Sequence, residues 1–321
     1  MNEMANVPKV CVVLANWNGA DFTIPCVESL AESDYPSFQV VVVDDGSTDN
    51  SLARIAQRFP ELEILRQPAN LGVSQARNRG IARAAELGSD YVLVLDNDTR
   101  VDRGLISQLV ATAKVHGDAV AVGPKIYRLD DPKRLWFAYG RLSLWTGFYF
   151  NPVYNSVDLG QFEQVMEMDA ASSCCLLIPM GIVKVVGGFD PGFTRNEDID
   201  WSLRCRRAGF RLLYCPQGRV WHFLGGSSRK QAAASIRYLL TRNQLWTLRK
   251  IGRPWHMLSI ICLYPLHCCW RLLRMSLSRQ WDCMGAELRG AKDGFLASIP
   301  PGGDPRGRAE PEPLSWSRYF W

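Results

Sequence analysis

Tyr91-Val92-Leu93-Val94-Leu95-Asp96-Asn97-Asp98 sets an unbroken apolar run against two carboxylates two residues apart. A short Val/Leu run of this kind reads as a strand covered on both faces, as in parallel sheets under helices. Ligands of open α/β sheets bind outside the carboxyl ends of such strands, so Asp96 and Asp98 stand where a ligand would be. Carboxylates at that spacing can approach one hard cation, and Mg²⁺ or Mn²⁺ would bridge them to a diphosphate. The same residues also suit a plain turn in which Asp and Asn bond the backbone.

On either side the pattern repeats. Lys9–Ala15, Gln39–Asp44, Leu62–Leu65 and Ala119–Gly123 read as further strands. Between the second and third of these, Leu52, Ile55, Ala56 and Phe59 fall at helical spacing, with Ser47 to Ser51 as capping side chains and Pro60 as the stop. Helices are also predicted from Val73 to Leu87, stopped by Gly88, and from Leu105 to Val115, stopped by Gly117. The alternation implies an α/β domain with a central, mostly parallel sheet and helices on both faces. From Tyr127 to Met168 the pattern loosens into loops and irregular strands around a substrate cleft; Cys174–Ile178 then reads as a buried strand and Ile199–Ala208 as a short helix.

Further polar groups stand at ends of these elements. Asp44-Asp45-Gly46-Ser47 closes the second strand, where a carboxylate can take hydrogen bonds from a base or ribose, or equally cap the next helix. Asn70-Leu71-Gly72 precedes a helix carrying Arg77, which can reach phosphate or base, or be a solvated helix charge. Asn196-Glu197-Asp198 opens the later helix, where acids suit the helix dipole or could serve as a base for an acceptor hydroxyl. His222, in Trp221-His222-Phe223 before Gly225-Gly226-Ser227-Ser228, is either a packed imidazole or a third ligand for a carboxylate-held Mn²⁺.

This ordered set resembles the large inverting nucleotide-sugar glycosyltransferase family, family 2, and within it the rhamnosyltransferase-like members. The likeness covers residues 9 to 250: Asn16-Trp17-Asn18-Gly19, Asp44 to Ser47, Asn70 to Gly80, Asp96-Asn97-Asp98, Glu197-Asp198, and His222 with its Gly/Ser tail. It implies the GT-A fold, a Rossmann-like nucleotide-diphospho-sugar transferase architecture, with a C-terminal helical segment added. It further implies that Asp98 binds Mn²⁺ or Mg²⁺ with His222 completing the shell, and that Asp96 contacts the ribose or a metal-bound water. Asp45, with Asp44 as neighbour, would read the nucleobase with Arg77 beside it, and Asn16, Asn70 and Gly72 would complete the donor site. Asp198 would be the base and Glu197 would shape the acceptor side. A dTDP-, UDP- or GDP-sugar donor and a glycan or polyprenyl-linked glycan acceptor follow, as in rhamnosyl transfer during cell-surface polysaccharide synthesis. Trp201 and the paired Cys174-Cys175 depart from the usual pattern, in the region of the acceptor pocket.

Composition sets bounds around this reading. At 321 residues, 47% hydrophobic and 21% charged, the chain can bury a core, and collagen, coiled coil and disulfide miniprotein are excluded. Residues 1–228 carry 22 Lys+Arg against 26 Asp+Glu, whereas residues 229–299 carry 12 against 3. The expected organisation is a catalytic domain over 1–228, a basic amphipathic helical region over 229–299, and a disordered, Pro/Gly-rich tail over 300–321. The ten cysteines show no Cys-x-x-Cys pair and read as buried free thiols. The start, Met1 to Pro8, has no signal-peptide pattern, which points to the cytoplasm.

Met257–Trp270 is 14 residues long, apolar except for Ser259 and His267, holds Pro265 and leads into Arg271, Arg274 and Arg279. A span needs about 20 apolar residues, so an interfacial or core helix is expected, lying on an anionic membrane at its cytoplasmic face. Two other readings remain: a catalytically silent sugar-nucleotide-binding scaffold, and a haloacid-dehalogenase-like phosphatase built on Asp96-Asn97-Asp98-Thr99. No nucleic-acid-reading motif accompanies the basic segment, so nucleic acid is not an expected partner.

Overall fold

A computed structural model describes residues 7–117, 119–223 and 232–299. The tail at 300–321 and the Gly/Ser stretch after His222 lie outside the described residues. The elements run β1 (Val10–Asn16), α1 (Ala20–Ala31), β2 (Phe38–Asp44), α2 (Ser51–Arg58), β3 (Glu63–Arg66), α3 (Val73–Glu86), β4 (Tyr91–Asp96), β5 (Thr99–Val101), α4 (Leu105–His116) and β6 (Val120–Arg128). There follow β7 (Leu135–Phe137), β8 (Arg141–Ser143), β9 (Phe148–Phe150), β10 (Met166–Glu167), β11 (Cys175–Pro179), α5 (Met180–Val186), α6 (Glu197–Arg207) and β12 (Arg211–His222). Three helices close the chain: α7 (Ala233–Ile251), α8 (Pro254–Leu277) and α9 (Trp281–Leu296).

The main sheet has the order β10-β12-β6-β11-β4-β1-β2-β3, with β5 added to β12 and β7 to β6. Strands β3, β2, β1 and β4 are parallel, β11 runs antiparallel between β4 and β6, and β12 is parallel to β6. Strand polarity places the site: the carboxyl ends of β1, β2 and β4 and the amino end of antiparallel β11 share one rim, bringing Asn16, Asp44, Asp96 and Cys174 to the same edge. The paired end of β12 aligns His222 with Thr99, directly after Asp98. The strand bearing Asp96 has three others before it in the chain, unlike the phosphatase arrangement in which that strand comes first.

Burial accounts for the apolar runs. Val12, Val13, Leu14, Val41, Val42, Val92, Leu93 and Val94 are completely enclosed, so each fully covered strand removes several aliphatic side chains from water at roughly 1.5–3 kcal/mol apiece. Helix α3 lies unusually close to β1 because Gly80 has no side chain: a Cβ there would sit 2.1 Å from Val13 Cγ1.

Several local expectations need correction. Helix α1 carries Pro25 within it and Gly19 at its start, and these hid it from a pattern reading. Strand β12 was equally hidden because Pro216-Gln217-Gly218 interrupts it; the register shift between Cys215 and Arg219 absorbs those residues as a bulge. Within the stretch Ser47 to Ser51 expected to cap α2, it is the Asp49 carboxylate that accepts from Ser51 N, at 2.9 Å, while Ser47 turns back to Asp44 and Asn16. Helix α6 begins two residues before Ile199, so Glu197 and Asp198 lie in its first turn.

The C-terminal helices pack on the α/β domain. Lys250 of α7 reaches Asp190 at 2.7 Å and Asp200 of α6 at 3.0 Å, and Asn243 donates to Arg195 O at 2.7 Å. Helix α8 is longer than the 14-residue apolar run, since Pro254 starts it and its last turns carry Arg271 and Arg274. Among the described residues it is the one helix long and apolar enough to cross a membrane by length and composition, and little of it is buried.

Candidate active site

Two clusters meet at the rim of the sheet, joined by the adjacent residues Ser173 and Cys174. The first is built by β4, β11 and β12. His222 Nε2 lies 3.1 Å from Asp98 Oδ1, and donor atoms of Asp96, Cys174 and His222 all lie within 4.8 Å of one another. Strand pairing fixes these positions: Asp96 N donates to Cys174 O at 2.8 Å, and Phe223 N to Asp98 O at 2.8 Å. The Trp136 ring meets the imidazole edge-on at a 4.5 Å centroid separation, which orients it. Burial would favour the neutral imidazole, yet the hydrogen bond to Asp98 and the charges of Asp98 and Asp96 outweigh it, and His222 titrates above its ordinary value. Its Nδ1 is buried without a hydrogen-bond partner.

That donor set fits a divalent cation. The ligand atoms of Asp96, Cys174 and His222 gather at one point, with Asp98 reaching it only through its contact to His222, and a carboxylate with an imidazole is a donor pair that Mn²⁺ accepts. The thiol of Cys174 is pushed well above its usual range, first by burial and then by Asp96 and Asp98, so it enters this surround protonated.

The second cluster is organised by Arg77. Its guanidinium, 3% exposed, donates from Nη1 to Glu197 Oε1 and from Nη2 to Asp96 Oδ1, both at 2.6 Å. Ser173 Oγ donates to the same Glu197 oxygen at 3.0 Å, and Ser173 N to Asp198 Oδ2 at 3.4 Å. Arg77 and Ser173 both engage Glu197 Oε1 and Glu197 is buried, whereas Asp198 is only half-buried. Burial first, and the Glu197 charge second, raise Asp198 from 3.8 to about 7, against the opposing pull of Arg77. An aspartate that titrates near neutrality is suited to exchange a proton with a hydroxyl.

The remaining predicted residues form a scaffold beside these clusters. Asp44 is fully buried, and accepts from Asn16 Nδ2 at 2.9 Å and from Ser47 N at 3.1 Å. Asn16 Oδ1 takes the Thr23 hydroxyl at 2.7 Å, and Thr23 in turn accepts from Asn97 Nδ2 at 2.8 Å, so the network ends inside the Asp96-Asn97-Asp98 turn. Asp45 holds the Asn70–Gly72 loop: it accepts from Gln67 Nε2 at 2.7 Å, Leu71 N at 2.8 Å and Gly72 N at 2.9 Å. Gly46, at φ 69°, lets that loop close, since a Cβ would stand 2.3 Å from the Ala69 carbonyl carbon. Arg77, expected beside Asp45, donates to Asp96 and Glu197.

Three residues at the site were not singled out from the sequence: Ser173, Trp136 and Tyr149 come from the irregular or buried middle of the chain, and Cys174 was noted only as a departure from the usual pattern. Burial and the charge of Asp198 raise the Tyr149 phenol, marking it as a neighbour of the acid.

Residues 11–177 match the family model described as glycosyl transferase family 2. Over 220 residues the chain is 28% identical to N-acetylglucosaminyl-diphospho-decaprenol L-rhamnosyltransferase of Mycobacterium tuberculosis, covering 61% of this chain and 70% of that one. TarS 1-349 of S. aureus in complex with UDP-GlcNAc superposes with a TM-score of 0.58 at 17% identity, covering 87% of this chain and 79% of that one. The mannosyltransferase PcManGT from Pyrobaculum calidifontis, in complex with GDP-Man and Mn²⁺, gives 0.57 at 15% identity, covering 91% and 88%. At those identities the two structures speak for a shared fold.

Proposed function

From the premise that this chain belongs to glycosyl transferase family 2, with the GT-A fold and a nucleotide-sugar transferase activity, we propose an inverting transfer to a glycan or polyprenyl-linked glycan acceptor in which Asp198 is the base. The observation that carries the reading is the convergence at one rim of groups from opposite ends of the domain: Arg77 joins Asp96 to Glu197, while Ser173 and Cys174 join the acid pair to the Asp98–His222 pair.

Asp198 accepts the acceptor hydroxyl's proton as that oxygen attacks the anomeric carbon from the face opposite the leaving diphosphate. Its elevated pKa makes it a stronger base than an ordinary aspartate, though only its ionised fraction works. Glu197, neutralised by Arg77 and bound by Ser173, holds the start of α6 against the donor rim and shapes the acceptor side. Asp98, His222 and Asp96 would hold Mn²⁺ or Mg²⁺, which supplies positive charge to the leaving nucleoside diphosphate. The Asn16–Asp44–Ser47 network and the loop carried by Asp45, including Asn70 and Gly72, would form the wall for the nucleoside. The resemblance to the mycobacterial enzyme supports a rhamnosyl donor such as dTDP-rhamnose and a lipid-linked diphosphate acceptor. PcManGT was solved with Mn²⁺ present, which supports the metal.

Peripheral attachment at the cytoplasmic membrane face completes the proposal. Helix α8 exposes Trp255, Leu258, Ile261, Leu266, Trp270 and Leu273 beside Arg253 and Arg274, a combination suited to an anionic headgroup boundary. The division into a 1–228 catalytic domain and a 229–299 helical region belongs to the same proposal, the helices standing between cleft and lipid.

The deciding experiment is Asp198→Asn in a donor panel with Mn²⁺, read by release of nucleoside diphosphate. Transfer should drop by at least ~10²-fold while donor binding persists. Near-normal turnover would remove Asp198 from the reaction, and donor binding without turnover in the parent protein across many acceptors would favour a silent binding protein.

A further inference from the structure

Behind the acid pair lies a cavity of about 170 Å³ that none of the predicted site residues lines. Its floor is the start of α6, where Asn196 and Ile199 flank Glu197 and Asp198 in the chain. Leu142 and Tyr149 of the β8–β9 hairpin close one side, Leu240 and Leu248 of α7 another, and Arg237 of α7 and Arg271 of α8 face it together.

The chemistry of this lining is mixed in a specific way. Both arginines turn to a single, fully buried carboxylate: Arg271 pairs closely with Glu287 Oε1, and Arg237 Nε stands 3.9 Å from Glu287 Oε2. The other claims on Glu287 come from the Thr241 hydroxyl at 2.9 Å and Tyr264 OH at 3.4 Å. One carboxylate against two guanidinium groups leaves an unmatched positive charge, and Arg271 Nε is buried with no hydrogen-bond partner. Guanidinium donors left over in a partly closed site are matched by an anion with several oxygens, phosphate or diphosphate above all. Leu142, Tyr149, Ile199, Leu240 and Leu248 give the cavity apolar walls that suit a hydrocarbon chain, beside the polar Asn196, Gln244 and Thr247, and Arg271 belongs to α8, the helix that also exposes Leu266, Trp270 and Leu273.

We propose that this cavity is the seat of the acceptor's phosphate: Arg237 and Arg271 bind the diphosphate of a polyprenyl-diphosphate-linked sugar, whose lipid leaves along α8 and whose sugar points to Asp198. The inference rests on the transferase reading, which makes Asp198 the reacting end. A site of this kind selects the acceptor by its anionic lipid junction, so a free sugar would be a poor substrate even with the correct hydroxyl. The order of parts follows from the fold, because α6 begins with the acid pair beside the cavity and Arg271 brings in α8, the helix with the exposed apolar face.

The test uses the full chain with EDTA present, so that diphosphate is not drawn to a metal site. Farnesyl diphosphate, inorganic pyrophosphate and farnesol are titrated separately by calorimetry; UDP with Mn²⁺ is titrated in a metal-containing arm. Farnesyl diphosphate should bind at least tenfold more tightly than pyrophosphate or farnesol, and Arg237→Gln should weaken it about tenfold while UDP binding stays as in the parent. Leu240→Glu, which sets a carboxylate against the phosphate, serves as a second variant should the first unfold, and should weaken binding equally. Equal affinity for farnesyl diphosphate and pyrophosphate, or no loss in either variant, overturns the proposal. So does a parallel loss of binding to phosphatidylglycerol vesicles, which would assign the arginines to lipid headgroups. Failure of UDP to bind while farnesyl diphosphate binds as expected would count against the transferase reading alone.

Discussion

Replacing Asp198 with Asn should stabilise the protein, and increasingly so as pH rises. In the unfolded chain this carboxyl ionises at 3.8, whereas in the fold it holds its proton to about 7. Between those values the native state binds more protons than the unfolded state, so Asp198 lowers stability as pH rises through that window, and the effect saturates above it. At about 1.36 kcal/mol per pH unit, the charge costs about 4 kcal/mol in full and about 2 kcal/mol between pH 5.5 and 8.5. Asp198 is only half-buried and solvent screens its charge, so the observable difference across that interval is about 1–2 kcal/mol. The Asn variant lacks this term, so its advantage in urea unfolding should grow by that amount from pH 5.5 to pH 8.5, with thermal midpoints separating by a further ~2–4 °C. Parallel stability–pH curves for the two proteins would mean that Asp198 ionises normally, and the argument that burial and Glu197 tune the base would fail. The same titration predicts that the transfer rate of the parent enzyme rises with pH through about 7 and levels off above it.

Other expectations follow from individual contacts. Arg77→Met leaves Asp96 and Glu197 facing each other without their shared cation, which should cost about 3–5 kcal/mol by urea unfolding and displace α6. Lys250→Met removes the cation shared by Asp190 and Asp200 in the junction between α6 and α7, leaving Asp200 with Arg204 alone, so a loss of about 3 kcal/mol and earlier proteolysis near residues 233–251 are expected. Gly80→Ala forces α3 away from Val13 and should lower stability by about 1–3 kcal/mol in urea unfolding, shifting Arg77 on the same helix with it. His222→Ala should weaken Mn²⁺ binding in the presence of UDP by about 10-fold or more in calorimetry while leaving the fold intact; unchanged Mn²⁺ affinity would remove His222 from the metal site.

What could be read from sequence was the part governed by local physics. Valine-rich runs ending in Asp or Asn identified β1, β2 and β4 and the carboxylates at their ends, because a doubly covered strand must be apolar and its ligand-facing end need not be. Elements whose pattern is interrupted escaped: α1 through Pro25, and β12 through its bulge at residues 216–218. The roles given to the polar residues came from the resemblance, and the local pattern did not show which contacts each one makes. Asp44 and Asp45 look alike in the chain, yet one is sealed against Asn16 and Ser47 and the other holds a loop.

The clearest limit is Arg77. On its helix it reads as one basic residue among several, and Arg79, two positions later, has no less claim to a phosphate. What separates the two is non-local. The antiparallel insertion of β11 between β4 and β6 sets Ser173 and Cys174 beside Asp96, the turn after α5 leads the chain back to α6, and Glu197 then arrives within 2.6 Å of a guanidinium 120 residues earlier. A carboxylate pair held this way is neutralised at one member and left elevated at the other, since Arg77 engages Glu197 directly while Asp198 keeps only backbone donors. The asymmetry that leaves Asp198 with the raised pKa is therefore a property of strand order, and the Glu197-Asp198 dipeptide alone does not contain it.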